Sequence, residues 1–275
     1  MQILYAFAVI ATLIFAVYLY WRVFLQPHLQ IPIRSFAVHD LVERPSLTSA
    51  SDITVNQFLG FIEEAKAAGL RFVGLDDFLS STDHRDILLT FDDGLESIYK
   101  YAFPILMKNR IPAVVFMLDA YEGEAASWDY RSSARVHLSA PQIEEMSASG
   151  LVTFGNHSAT HPDLTRVSRD RLTSEVQTST DKHRTAFSYP FDRFNEDVIS
   201  AVKHAGYMSG FCLLSGRPSL WRDDFARPRF PLNRFDNRFT FRIKLRGGKL
   251  MWLEVVKSRI IGKFAPFTYD WQGRP

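Results

Sequence analysis

This chain of 275 residues has a single cysteine, Cys212, so it cannot form an internal disulfide. That cysteine lies in an apolar run and reads as a small core residue. An excess of charge is missing too: lysine plus arginine number 32 against 30 acidic residues, a formal balance of +2 that gives no case for a nucleic-acid partner. No glycine-rich loop of the P-loop or dinucleotide type occurs, which removes the enzyme classes that cradle a phosphate. Internal repeats and low-complexity tracts are also absent. Two local absences bear on later points. No charged side chain occurs from Met1 to Trp21, and no histidine follows His204.

The uncharged start is almost wholly apolar from Ile3 to Tyr20, enough at about 1.5 Å per residue to approach a hydrocarbon core of about 30 Å. Tyr18, Tyr20 and Trp21 before Arg22 fit an interfacial aromatic belt, and no small-residue cleavage site closes the run. Residues 1–26 are therefore expected to be a transmembrane anchor. The remainder, 47% hydrophobic over the whole chain, can bury one substantial core. Helical patterns at Val55 to Ala68, Ser97 to Asn109, Ala140 to Ser149, Arg169 to Lys182 and Asn195 to Ala205 alternate with short apolar runs. Those runs are Phe72 to Leu75, Ile87 to Phe91, Ala113 to Leu118, Leu151 to Phe154 and Tyr207 to Leu214. Such alternation predicts parallel strands with crossover helices, an α/β fold closing as an incomplete (β/α) barrel with its site at the strands' carboxyl ends.

Two sequences carry chemistry. Thr90-Phe91-Asp92-Asp93-Gly94 sets adjacent carboxylates at the end of a buried strand, with Gly94 allowing a sharp turn behind them. Neighbouring strand residues point to opposite faces, so a bend is needed before both acids serve one cavity, one binding a cation and the other handling protons. Asn156-His157-Ser158-Ala159-Thr160-His161 follows the strand-like run Leu151 to Phe154, and two imidazoles four apart share a face on one turn of helix. Asp93 with His157 and His161 makes a two-histidine, one-carboxylate set. Such a set leaves open positions on a divalent ion such as zinc, which lowers the pKa of a bound water toward neutrality.

These motifs resemble those of the polysaccharide deacetylases of carbohydrate esterase family four. T-F-D-D-G is similar to the family's first motif and H-S-x-x-H to its second, and the likeness extends from about Ile31 to about Phe241, beginning with a degenerate form of the opening strand at Ile31 to Asp40. The resemblance implies that Asp92 is the catalytic base, that Asp93, His157 and His161 bind one divalent metal ion, and that Ser158 supports the loop between the histidines. Zinc is the expected ion, with cobalt or nickel as alternatives. It also implies a distorted, incomplete barrel of the deacetylase type over residues 27–241, behind the anchor.

The chain departs from that pattern in two places. Where the third motif normally has an arginine, this chain reads Ser188-Tyr189-Pro190-Phe191, so Arg193, Arg227 or Arg229 must supply the charge, and Asp92 is expected to titrate higher if none does. By resemblance the Tyr189 backbone amide is a candidate oxyanion donor, while Pro190 and Phe191 wall the acetyl pocket. The family's late histidine, its general acid, is missing as well. His39, at the end of a strand on the same rim as Asp92, is the candidate to replace it, whereas His204 reads as a solvated helix residue. Trp128, in a loop between Asp119 and Val136, is a candidate for stacking on a sugar ring.

The last segment, residues 242–275, is basic and aromatic. Leu250, Leu253, Val256 and Ile260 at helical spacing predict an amphipathic helix packed on the barrel with its lysines outward, or resting on anionic lipid. The expected function is metal-dependent removal of N-acetyl groups from amino sugars of a cell-surface polysaccharide or its membrane-linked precursor. O-acetyl ester hydrolysis and a catalytically inactive glycan-binding protein are the alternatives. The expected partners are an acetylated amino-sugar glycan and a membrane. The expected location is the bacterial inner membrane, with one span and an extracytoplasmic catalytic domain; the charge rule, with Arg22 and Arg34 after the span, leans the other way.

Overall fold

The computed structural model describes residues 2–20, 33–44, 49–126, 135–177, 185–214, 223–247 and 250–264, with side chains of the first helix described from 10 to 19. Seven parallel strands close into a ring. They are β1 (Ser35–Val38), β5 (Asp86–Phe91), β6 (Ala113–Met117), β7 (Val152–Asn156), β8 (Ala186–Ser188), β9 (Ser209–Leu213) and β10 (Arg227–Pro231). Neighbours pair in that order, and β10 returns to β1, which pairs with β5 from Ser35↔Leu88 to Val38↔Phe91. The barrel is thus short of the usual eight strands yet closed. A two-residue strand β4 (Arg71–Phe72) pairs with the first part of β5, and β2 (Asp40–Val42) with β3 (Asp52–Thr54) form a separate parallel pair.

Strand alternation builds two layers of core. Leu88, Val114, Phe116, Ala186 and Phe211 form one buried cluster, which fills the barrel interior, with Leu75 and Phe78 of α3 (Leu75–Ser80) beside them. The intervening strand positions, including Phe36, Leu89, Phe91, Val115 and Phe187, pack outward against helices in the larger cluster. Those helices are α2 (Val55–Ala67), α4 (Phe103–Asn109), α5 (Ala140–Ala148), α6 (Arg169–Val176) and α7 (Glu196–His204). Helix α2 starts at a capping box, with Thr54 Oγ1 accepting from the Gln57 amide and Gln57 Oε1 accepting from the Thr54 amide. Its apolar stripe, Phe58, Phe61, Ile62 and Ala65, is buried. The expected helix at 97–109 is interrupted: a π-helical turn over Ile98–Ala102 precedes α4.

The carboxyl-terminal segment differs from its expectation. Helix α8 (Arg238–Arg246) runs through the expected boundary at 241/242, and Phe241 is part of the main core. Arg238 and Arg242 bond Glu64 on α2, and Lys244, wholly buried, donates to Asp236 Oδ2 at 2.6 Å and to the Pro231 carbonyl at 2.7 Å. From α9 (Met251–Phe264), Lys257 reaches Asp236 Oδ1 at 2.8 Å and Glu254 at 2.6 Å, and Arg259 donates to the Leu214 carbonyl. Lys244, Lys257 and Arg259 thus turn toward the protein, each onto a carboxylate or carbonyl, whereas Arg238 and Arg242 remain exposed.

Helix α1 spans Gln2–Tyr20 and exposes Ile10, Leu13, Ile14, Phe15 and Leu19; Tyr18 meets Trp252 of α9 edge-on at 6.1 Å. Among the described residues, no helix is long and apolar enough to cross a membrane, so the expected anchor over residues 1–26 is without structural support.

Candidate active site

The paired aspartates sit where β5 runs out. Leu88, Thr90 and Asp92 share the lumen face by alternation, so Asp92 caps the barrel interior. Asp93 would point outward, but its φ of +69°, followed by +63° at Gly94, bends the chain and turns its carboxylate to the same cavity. Glycine is required at 94: a Cβ there would stand 2.5 Å from Met117 Sδ.

The histidines come off the end of β7, two strands around the ring. Residues 157–161 are loop rather than helix, with Ser158 at φ +71° and His161 at φ +60°. Asn156 Oδ1 accepts from the Ser158 amide at 2.7 Å, and Ser158 Oγ accepts from the His161 amide at 3.0 Å. Ser158 thus supports the loop, as expected. The two rings come within 4.9 Å, and each Nε2 faces Asp93 Oδ1, at 3.5 Å from His157 and 3.6 Å from His161. A tetrahedral ion with bonds of about 2.0–2.1 Å sets its ligand atoms about 3.4 Å apart, so this spacing fits one. The donor set fits as well. All three residues are buried with ligand atoms within 4.8 Å of one another, and His157 Nδ1 bonds the Ser188 carbonyl at 2.8 Å, which turns Nε2 toward Asp93. Burial outweighs the opposing attraction of Asp92 and depresses His157 to about 4, which keeps the imidazole neutral, as a metal ligand would need, near neutral pH.

Asp92 does not lack its arginine. Arg229, inward on β10 and 1% exposed, grips the carboxylate with both arms: Nη1 to Oδ1 at 2.7 Å and Nη2 to Oδ2 at 2.9 Å. The same guanidinium donates to Thr90 Oγ1 at 2.8 Å and Ser188 Oγ at 2.7 Å, and lies 5.2 Å over the Phe116 ring. Arg193 instead bonds Asp163 and Arg227 bonds Asp224. Burial alone would raise Asp92; Arg229, with His157 and His39, outweighs it and holds the carboxyl well below the usual range. The raised pKa expected in the absence of an arginine does not arise, since Arg229, five strands on in sequence order, supplies the charge.

His39 follows β1 and stands with Nε2 3.9 Å from Asp92 Oδ2, partly open to solvent. Phe191, at φ +55°, sets its ring 4.5 Å from that of His161 and forms a wall of the site, with Pro190 buried beside it. Tyr189 is otherwise engaged: its amide donates to the Phe211 carbonyl at 3.2 Å and its hydroxyl to the Phe225 carbonyl at 2.7 Å. The expected oxyanion donor is therefore part of the barrel's ladder. Trp128 lies outside the described residues. His204 is exposed and bonds its own helix at the Ser200 carbonyl, as expected. Sequence reasoning missed His137, whose buried ring bonds the Asp93 carbonyl at 2.8 Å; burial lowers its pKa to about 4. No motif marks that residue, which reaches the site from a loop.

A family model described as polysaccharide deacetylase matches residues 80–210. The chain is 26% identical over 212 residues to the poly-beta-1,6-N-acetyl-D-glucosamine N-deacetylase of Staphylococcus aureus strain MRSA252, covering 70% of this chain and 71% of that protein. Among solved structures, Streptococcus pyogenes deacetylase PplD in complex with acetate aligns with a TM-score of 0.65 at 21% identity, over 78% of this chain and 98% of that one. The de-N-acetylase from Aggregatibacter actinomycetemcomitans aligns at 0.64 and 18% identity, over 76% and 98%. These two likenesses establish the fold. Both aspartates and both histidines lie inside the residues that match the polysaccharide deacetylase model.

Proposed function

We propose that the protein hydrolyses N-acetyl groups of a β-linked amino-sugar polysaccharide, using one divalent ion, zinc in the first instance. The observation that carries this is the placement of an ionised, arginine-clamped Asp92 directly beside the Asp93, His157 and His161 cluster. The names of the staphylococcal relatives support the polymer class. An ion held by Asp93, His157 and His161 supplies a Lewis acid that acidifies water and polarises an amide carbonyl.

The chain's own residues do the rest. Asp92, kept ionised by Arg229, accepts the proton of the attacking water at a carboxylate oxygen. Arg229 fixes that carboxylate's plane, and its own position is set by Thr90, Ser188 and Phe116. His39, with Nε2 3.9 Å from Asp92 Oδ2, delivers a proton to the departing amine. Phe191 closes the wall against His161 and limits the pocket to a small acyl group. The uncharged, apolar run from Ile3 to Tyr20 in the sequence is the ground for placing the enzyme at the bacterial inner membrane with its barrel outside, near the polymer.

Acetate release from N-acetylglucosamine oligomers with added zinc or cobalt tests the reading. Asp92→Asn should lower kcat by about 10²–10⁴-fold while one ion still binds, and His39→Ala should lower it by a similar factor. Unchanged turnover in His39→Ala would remove that residue from its role. No metal-dependent release from any acetylated glycan would leave a glycan-binding protein instead.

A further inference from the structure

Asp93 adopts a backbone conformation that side chains with a Cβ avoid, and it does so while buried. A residue stays in that region only where its surroundings over-determine it. Here the surroundings are the segment 136–138. The Leu138 amide donates to the Gly94 carbonyl at 2.8 Å, the Glu96 amide to the Val136 carbonyl at 2.8 Å, and Leu95 and His137 form an antiparallel bridge. Those bonds hold the residues after Asp93. The Asp93 carbonyl itself is bonded by the His137 side chain at 2.8 Å. A carbonyl only accepts, so Nδ1 of His137 carries the proton. The ring has little freedom to move: it is 1% exposed, it stacks on Tyr121 at 5.4 Å with 20° between planes, and its own amide donates to the Glu124 carbonyl.

We propose that His137 is a positioning residue of the metal centre, whose Nδ1–H holds the Asp93 peptide in the left-handed conformation and so aims the carboxylate at His157 and His161. This role rests on the metal-dependent reading above. The Nδ1 of His137 bonds the Asp93 peptide carbonyl. It acts on the ligand's backbone, where most supporting partners of a metal site act on the ligand's side chain. Without its donor the buried Asp93 peptide loses this bond, and relaxation of φ to negative values swings the carboxylate off the two imidazoles.

Zinc affinity, measured by chelator competition on the metal-stripped full chain, tests the role. His137→Phe keeps a ring against Tyr121 but removes the donor, and should weaken zinc binding by about 10–100-fold, whereas His137→Asn, whose amide nitrogen can replace Nδ1, should stay within about threefold of wild type. Melting midpoints of the metal-free variants read damage to the fold separately. A Phe variant that binds zinc like wild type overturns the role, and so does an Asn variant that loses as much as Phe. On the unaltered protein, a long-range ¹H–¹⁵N correlation should show His137 as the Nδ1–H tautomer, and an Nε2–H tautomer overturns the role whether or not the variants fold. If wild type binds no zinc, cobalt or nickel, the metal-dependent reading fails and takes this role with it; a wild type that binds alongside an indifferent Phe variant overturns this role alone.

Discussion

Asp92 and Arg229 are 137 positions apart in the chain and form a buried, bidentate pair. Removing one member of such a pair leaves the other charged and uncompensated, at a cost of about 3–5 kcal/mol. Arg229→Met should therefore lower stability by about that amount in urea unfolding. It should also move the acidic limb of the activity profile. Arg229 holds the Asp92 pKa down, so without it the carboxyl takes up a proton at higher pH, and the limb shifts upward. Arg229→Lys keeps the charge but not the fork and should fall between the two. At this scale the candidate metal cluster was legible in the sequence: Asp93, His157 and His161 meet as expected, and Asp92 stands beside them. The choice among three arginines was not, because which arginine faces the lumen depends on strand register, and Arg193 and Arg227 are spent on Asp163 and Asp224.

Element by element, the strongly patterned stretches β5, β6, β7, α2, α5 and α7 fall where periodicity puts them. Strand β10 is different. Its sequence, Arg227-Pro228-Arg229-Phe230-Pro231, holds two prolines and reads as a poor strand. Pro228 registers only with β9, opposite Cys212, and Pro231 only with β1, opposite Ala37, so each proline sits where just one neighbour is paired. The strand that carries the missing arginine was hidden for this reason. The histidine spacing, read as one helical turn, is met instead by a loop with Ser158 and His161 at positive φ, since short side-chain bonds from Asn156 and Ser158 replace a helix's ladder. The turn behind the aspartates is equally specific. Gly94→Ala combines φ +63° with a Cβ 2.5 Å from Met117 Sδ. It should cost about 1–3 kcal/mol, because a flexible methionine can give part of the way. Zinc affinity should fall with it, as Asp93 is the preceding residue; an unchanged melting midpoint would show that the turn tolerates a side chain.

For the whole molecule, the buried cluster of Asp236, Lys244, Glu254 and Lys257 ties α8 and α9 to the loop after β10. Burial would raise the Asp236 carboxyl, but Lys244 and Lys257 outweigh it and keep it low; Lys244 is itself pulled below its ordinary value by burial ahead of the Asp236 attraction. A depressed carboxyl stabilises the fold fully above its unfolded pKa of about 3.9, and that stability is lost as pH falls through the folded value. Lys244→Met should cost about 3–5 kcal/mol at neutral pH, with a smaller difference from wild type in strong acid, seen by circular dichroism; equal stability at both pH values would show that Lys257 alone suffices for Asp236. The expected outward-facing basic helix thus becomes part of the body that supports Arg229, through Lys244 on the Pro231 carbonyl. By itself the sequence determined the fold class and marked out Asp93, His157 and His161, because hydrophobic period and motif spacing are local properties of a chain. The tertiary structure alone decided which arginine clamps Asp92, that His39 stands beside Asp92, and that His137 bonds the Asp93 carbonyl, because each is a contact between residues that only closure of the barrel brings together.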